Sequence, residues 1–195
     1  MSRCVTSVAD WSQRQGYLYH CIGDELFDWV TPDLYAKPRQ RTPILADFPR
    51  LQWIKWELAV RGGMVVWVDA DTLVVDPTWH VPDWTHRFTG EECWVQPTTV
   101  GTRRAYHSPH NAFIGFTAAS PVLGFLAYLS ESIIERADSA HIAPQMVGPK
   151  LLKAFNNLAQ FTLVPEAGAV SPELLAEWVG DAGPVKACYE QANRP

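Results

Sequence analysis

At 195 residues the chain is long enough for one domain with a sizeable core and a little short for two. Hydrophobic residues make up 47% and charged residues 19%, an ordinary globular balance that excludes a disordered chain. A formal net charge of -5 leaves no basic stripe to neutralise phosphates and so argues against a nucleic-acid partner; Arg103-Arg104 and the stretch Lys37-Pro38-Arg39-Gln40-Arg41 are only small local clusters.

In chain order, residues 3 to 15 place Val5, Val8, Ala9 and Trp11 at helical spacing, with Gly16 as the stop. Tyr17 to Cys21 reads as a short strand. Residues 23 to 43 read as a functional loop carrying a helical turn. Asp47 is placed to cap a helix from about Phe48 to Arg61, with Pro49 in its first turn and Leu51, Ile54 and Leu58 as its apolar stripe. Gly62-Gly63 ends that helix with residues that accept positive φ. Met64 to Val68 is an unbroken apolar run, the pattern of a central strand buried on both faces. Asp69-Ala70-Asp71 follows, then a second apolar run, Leu73 to Val75, closed by Asp76-Pro77.

Further strands are expected at Cys93 to Gln96, Asn111 to Phe116 and Phe161 to Val164. Helices are expected from Pro121 to about Arg136, from Pro149 to about Leu158, and from Pro172 to Trp178. With no repeat, linker or low-complexity segment, 1–195 reads as one α/β domain. The scattered cysteines (Cys4, Cys21, Cys93, Cys188) form no CxxC pair and read as buried reduced thiols. Trp53, Trp56 and Trp67 read as core. No apolar run of 18 residues and no signal-like N-terminus is present, so no transmembrane segment and a cytoplasmic location are expected.

The acidic triplet carries the chemistry. Open α/β sheets bind ligands beyond the carboxyl ends of their strands. Alternate strand residues point the same way, so Asp69 and Asp71 can face one site. Two close carboxylates repel unless a cation lies between them. Hard oxygen ligands suit Mg²⁺ or Mn²⁺, which fill their remaining positions with water and substrate phosphates. The competing reading of the triplet is a turn whose aspartates hold backbone amides.

Asp47-x-x-Arg50 on a helix, Leu58, Gly62-Gly63, an apolar strand and Asp69-x-Asp71 together resemble the DXD-type glycosyltransferases of the GT-A fold. The likeness is closest to the bacterial capsular-polysaccharide and mannosyltransferase-like sugar transferases. His110 to Gly115, Ser120-Pro121 and Gly148-Pro149 are similar to later blocks of the same enzymes. The resemblance implies a Rossmann-like nucleotide-diphospho-sugar transferase fold, with a mixed central sheet flanked by helices. It implies transfer of a sugar from a nucleotide-sugar donor to a glycan or lipid-linked acceptor, in polysaccharide biosynthesis. Asp69 would then lie by the ribose or donor sugar, Asp71 would hold the metal that bridges the diphosphate, and Asp47 and Arg50 would line the donor pocket. Those enzymes begin with a strand ahead of the first helix, whereas this chain opens in the helix. An incomplete nucleotide pocket, or a recorded start that is truncated, is the expectation that follows.

Other groups join the candidate site. Glu91 and Glu92 precede a strand and are candidates for an acceptor-side base. His110 and Asn111 are candidates for sugar or phosphate contact. Gly148 and Lys150 open a helix whose N-terminus can face an anion. His141 is a candidate third metal ligand. The rival enzyme reading is a haloacid-dehalogenase-type phosphatase, whose first motif matches Asp69-Ala70-Asp71-Thr72-Leu73, with Asp69 as nucleophile and Asp71 as general acid. A distal acidic pair for its Mg²⁺ is not evident, since Asp181 stands alone. A catalytically degenerate sugar- or partner-binding protein of the same fold is the non-enzymatic reading.

Overall fold

The protein is described by a computed structural model over residues 2–36, 42–137 and 145–192. Its elements are α1 (Ser2–Gln15), a 3₁₀ helix (Asp24–Trp29), α2 (Pro32–Ala36), α3 (Thr42–Arg61), β1 (Met64–Val68), β2 (Arg87–Pro97) and β3 (Arg103–Thr117). Then follow α4 (Val122–Arg136), α5 (Pro149–Ala159), β4 (Thr162–Val170), α6 (Pro172–Val179) and α7 (Pro184–Ala192). The class is mixed α/β. Four strands in the order β1-β3-β2-β4 form one mixed sheet, with β1 and β2 antiparallel to β3 and β4 parallel to β2.

The strand patterns explain the layers. On one face Ile114 and Phe116 pack with Leu51, Ile54 and Leu58 of α3, Leu126 of α4 and Leu152 of α5. On the other, Phe88, Phe113 and Val164 pack against Val8 and Trp11 of α1. β1 contributes to both, Val65 and Trp67 to the first cluster and Met64, Val66 and Val68 to the second. Fully buried side chains such as Ile54 and Leu126 each contribute about 1.5–3 kcal/mol.

The two-faced apolar run therefore does mark a strand covered on both faces, but not a central one. β1 hydrogen-bonds only to β3 among the described residues, stands at the sheet edge, and is half-buried along its whole length. Periodicity reports what covers a strand's faces and is blind to its edges.

Other expectations shift in ways with local causes. Tyr17 to Cys21 forms no strand, and Leu18 and Tyr19 are exposed. Leu73 to Val75 has no regular structure; Leu73 and Val75 lie in solvent, while Val74 reaches the α1 cluster. α3 begins at Thr42, so Asp47 lies inside the helix rather than capping it, and Pro49 is an interior proline. Strands β2, β3 and β4 are longer than the apolar runs that signal them, and α7, which opens at Pro184, forms where no helix was expected. Of the cysteines, Cys93 is buried, Cys4 and Cys188 are partly so, and Cys21 is exposed; all four are free thiols. Trp56 is exposed, whereas Trp53 and Trp67 are half-buried against the core. No helix among the described residues is long and apolar enough to cross a membrane.

The sheet feature that matters for the site is a break in the β2–β3 ladder. Thr89 faces Ile114, yet the next residue, Gly90, faces His110. Asn111, Ala112 and Phe113 are thereby released from β2, and a bulge of this kind re-aims side chains. Phe113 pairs instead with Val68, and the Ala112 carbonyl accepts the Asp69 N–H at 2.7 Å. The bulge and the end of β1 are thus one construction.

Candidate functional site

A buried arginine lies at the centre. Arg50 projects from α3 with its side chain only 7% exposed, and its guanidinium meets two carboxylates from different parts of the chain. Nη2 lies 3.1 Å from Asp47 Oδ1, three residues back on α3, and Nη1 lies 3.0 Å from Asp69 Oδ1 at the end of β1. Nη1 also donates to the Asn111 carbonyl at 2.9 Å, and Nε donates to the Ala46 carbonyl at 3.2 Å. Five donors in a fixed planar fork make arginine able to bind several acceptors at once. The guanidinium carbon also sits 5.2 Å from the Trp67 ring centre, in cation–π range.

Asp69 is held from two directions. Its Oδ1 accepts from Trp67 Nε1 at 2.6 Å as well as from Arg50. Trp67 and Asp69 are two apart at the strand end, where alternate residues share a face. The triplet itself is a turn, closed by the Thr72 N–H on the Asp69 carbonyl at 3.0 Å. The aspartate side chains do not hold that turn. With Oδ1 committed and the side chain 29% exposed, Oδ2 is the oxygen that a ligand can reach. Asp71, two residues on, is exposed.

Asp47 completes the cluster from inside α3. Its Oδ1 accepts from Asn111 Nδ2 at 2.7 Å, so the bulge of β3 is tied to the helix. Burial pushes the Asp47 carboxyl above its ordinary range; Arg50 and the Asn111 amide oppose that rise, and the nearby Asp69 adds to it. A carboxyl whose pKa is raised on folding binds protons more tightly in the native state. The associated stability is full below the unfolded value and is lost as pH rises through the folded value. Asp47→Asn should therefore flatten the acid end of the stability–pH curve, measured by urea midpoints between pH 3 and 6. An unchanged curve would show that Asp47 does not titrate in this range.

Gly148, buried just ahead of α5, packs directly on this carboxylate. A Cβ there would overlap Asp47 Oδ2 and come within 3.1 Å of Asn111 Nδ2. The space beside Asp47 therefore requires the glycine. Gly148→Ala should destabilise the fold by about 1–3 kcal/mol through overpacking. An unshifted denaturation midpoint would mean that Asp47 yields freely.

The sequence-derived candidates thus separate. Asp47, Arg50, Asp69, Asn111 and Gly148 form one contiguous cluster. His110 stands beside it, within electrostatic reach of Asp47, with Nδ1 accepting the Ala112 N–H at 3.2 Å. Asp71 lies in the turn after Asp69 and is exposed; because β1 ends at Val68, strand alternation does not put the two aspartates on one face. Lys150, in the first turn of α5, is exposed. Glu92 lies on the β2–β3 arm opposite Ser108, two positions from the Gly90–His110 pair. Glu91 is buried and paired with His107 Nδ1 at 2.7 Å, which accounts for it structurally. His141 and the Lys37 to Arg41 cluster lie outside the described residues. Trp67 is the participant that sequence reasoning assigned to the core alone; its two-residue spacing from Asp69 was the available signal.

The donor set limits what metal this site can take. Among the described residues no three His, Cys, Asp or Glu side chains converge on one point. Arg50 already neutralises one Asp69 oxygen. What remains is Asp69 Oδ2 and the Asp71 carboxylate, too few for a preformed cage. An Mg²⁺ or Mn²⁺ ion there would have to complete its shell with water and a ligand's phosphates. No protein-family model, no curated protein and no solved structure matches this chain.

Proposed function

We propose that this protein is a glycosyltransferase of the GT-A type that binds a nucleotide-diphosphate sugar at the end of β1 and passes the sugar to a glycan or lipid-linked acceptor. The observation that carries the reading is the Asp47–Arg50–Asp69 cluster. A buried guanidinium is costly to desolvate and is retained only where its partners satisfy it. Here it fixes one oxygen of Asp69 and leaves the other open at the carboxyl end of β1, ahead of the exposed Asp71.

In this reading Asp69 Oδ2 accepts hydrogen bonds from ribose or donor-sugar hydroxyls, and the Arg50–Trp67 clamp keeps it oriented. Asp71 and Asp69 Oδ2 are the residues that would hold Mn²⁺ or Mg²⁺, which would neutralise charge on the departing diphosphate. His110, half-buried beside the cluster, is the candidate for donor contact, while Asn111 is buried and holds the bulge to Asp47. Lys150 is free to approach phosphate, and Glu92, farther along the arm, is the candidate for the acceptor side.

The clamp leaves the phosphatase reading open. Arg50 and Trp67 occupy only Asp69 Oδ1 and leave Oδ2 open, so turnover rather than this geometry separates the two readings.

The test is release of nucleoside diphosphate from UDP- and GDP-sugars with Mn²⁺. Release that depends on both metal and Asp71 is expected. Hydrolysis of simple phosphate monoesters in its place would favour the phosphatase, and tight metal or sugar binding without turnover would favour the degenerate binding protein.

A further inference from the structure

A cleft of about 470 Å³ opens between the loop that precedes β2 and the first residues of β4. None of Asp47, Arg50, Asp69 or Asp71 lines it. Its walls include Trp79 and Trp84, with His80, Asp83 and Glu166 supplying polar groups and Pro82 and Pro165 stiffening opposite sides. Small-molecule sites typically combine a cavity of roughly 300–1,000 Å³, aromatic walls and a few polar groups.

The loop is unusually well anchored for a segment without regular structure. Trp79 is pinned from α1, because Trp11 Nε1 donates to its carbonyl at 2.8 Å and the Trp11 and Trp79 rings lie 5.9 Å apart. The Trp79 ring also meets Phe113 edge-on at 5.7 Å. The Val81 N–H donates to the Tyr17 hydroxyl at 3.2 Å, and Thr85 bonds Thr162 of β4 at 3.1 Å. Both ends of the cleft wall are therefore fixed before any ligand arrives, which lowers the entropic cost of binding. Against this frame Trp84 stands out, at 72% exposed. The core does not need it there.

We infer that this cleft binds a neutral saccharide. An exposed indole offers a flat apolar face to a sugar ring, while the Asp83 and Glu166 carboxylates accept from its hydroxyls and His80 can donate or accept. The two carboxylates repel a nucleotide diphosphate, so the cleft and the Arg50 cluster select ligands of different charge. A caged cation needs rings that enclose and desolvate it, and Trp84 lies too open for that. The assignment stands on the cleft and does not depend on donor binding at Asp69.

The experiment is calorimetric titration of the full chain with mannotriose, cellotriose and chitotriose. Choline and a short single-stranded oligonucleotide serve as competing probes. At least one trisaccharide should bind, and Trp84→Ala should weaken it about tenfold by removing one ring's contact face. Glu166→Gln should weaken it less, and Asp71→Ala should leave it unchanged. Binding of no trisaccharide, binding that survives Trp84→Ala, or tighter binding of choline or the oligonucleotide would overturn the proposal. Donor binding without saccharide binding would leave the transferase reading standing and remove this one; the reverse result would do the opposite.

Discussion

Arg50→Ala is expected to destabilise the protein by about 3–5 kcal/mol, which lowers the melting temperature by roughly 6–20 °C. The substitution leaves the Asp47 carboxylate, 7% exposed, with Asn111 as its remaining partner, and leaves Asp69 facing it without the intervening charge. Most of the loss is the cost of uncompensated buried charge rather than of lost contacts. Arg50→Lys should recover little, because a lysine ammonium cannot span Asp47, Asp69 and the Asn111 carbonyl in one plane. Arg50→Met combined with Asp47→Asn should recover part of it, since an apolar isostere beside a neutral amide removes the unpaired charge. Thermal melts of the three variants check this. If Arg50→Ala melts within a degree or two of the parent, the cluster is wetter than its burial indicates and is no anchor.

Asp71→Ala is expected to have the opposite profile. Asp71 is exposed, so its loss should change the stability of the free protein by no more than about 0.5 kcal/mol. Donor stabilisation in Mn²⁺, about 2.7 kcal/mol at a hundredfold excess over Kd, should vanish. The pair of variants separates the two halves of the site, with Arg50 acting through the fold and Asp71 through the ligand. Retained metal-dependent donor stabilisation in Asp71→Ala would remove Asp71 from the metal site.

Much of this arrangement is legible in the sequence, and the illegible part has a pattern. Local signals served well: Gly62 and Gly63 do end α3 with φ +70 and +71, and Pro149 and Pro172 do open helices. The apolar run before the triplet does mark a strand covered on both faces. What the residues did not disclose was who stands beside whom. The edge position of β1 depends on strand order, which side-chain alternation does not encode. The three-residue bulge at Asn111 to Phe113 depends on pairing with two strands at once.

The role of Asp47 was misplaced for a related reason. Aspartate before proline is a good helix-start signal, but α3 extends upstream to Thr42 and carries Pro49 in its interior. Arg50 Nε bonds the Ala46 carbonyl in the turn where proline interrupts the helical ladder. A residue read as a cap thus becomes a buried ligand for an arginine, and the i, i+3 spacing of Asp47 and Arg50 acquires its meaning only when Asp69 arrives from β1.

The most direct measurement of the central claim is a thermal-shift panel of UDP- and GDP-linked sugars, each with and without Mn²⁺, on the parent chain and on Asp71→Ala. A ligand that binds only the folded state raises the melting temperature by mass action. The account predicts stabilisation of the parent by a nucleotide sugar, only with metal, and none in Asp71→Ala. No shift with any donor, or a shift indifferent to both metal and Asp71, would contradict it.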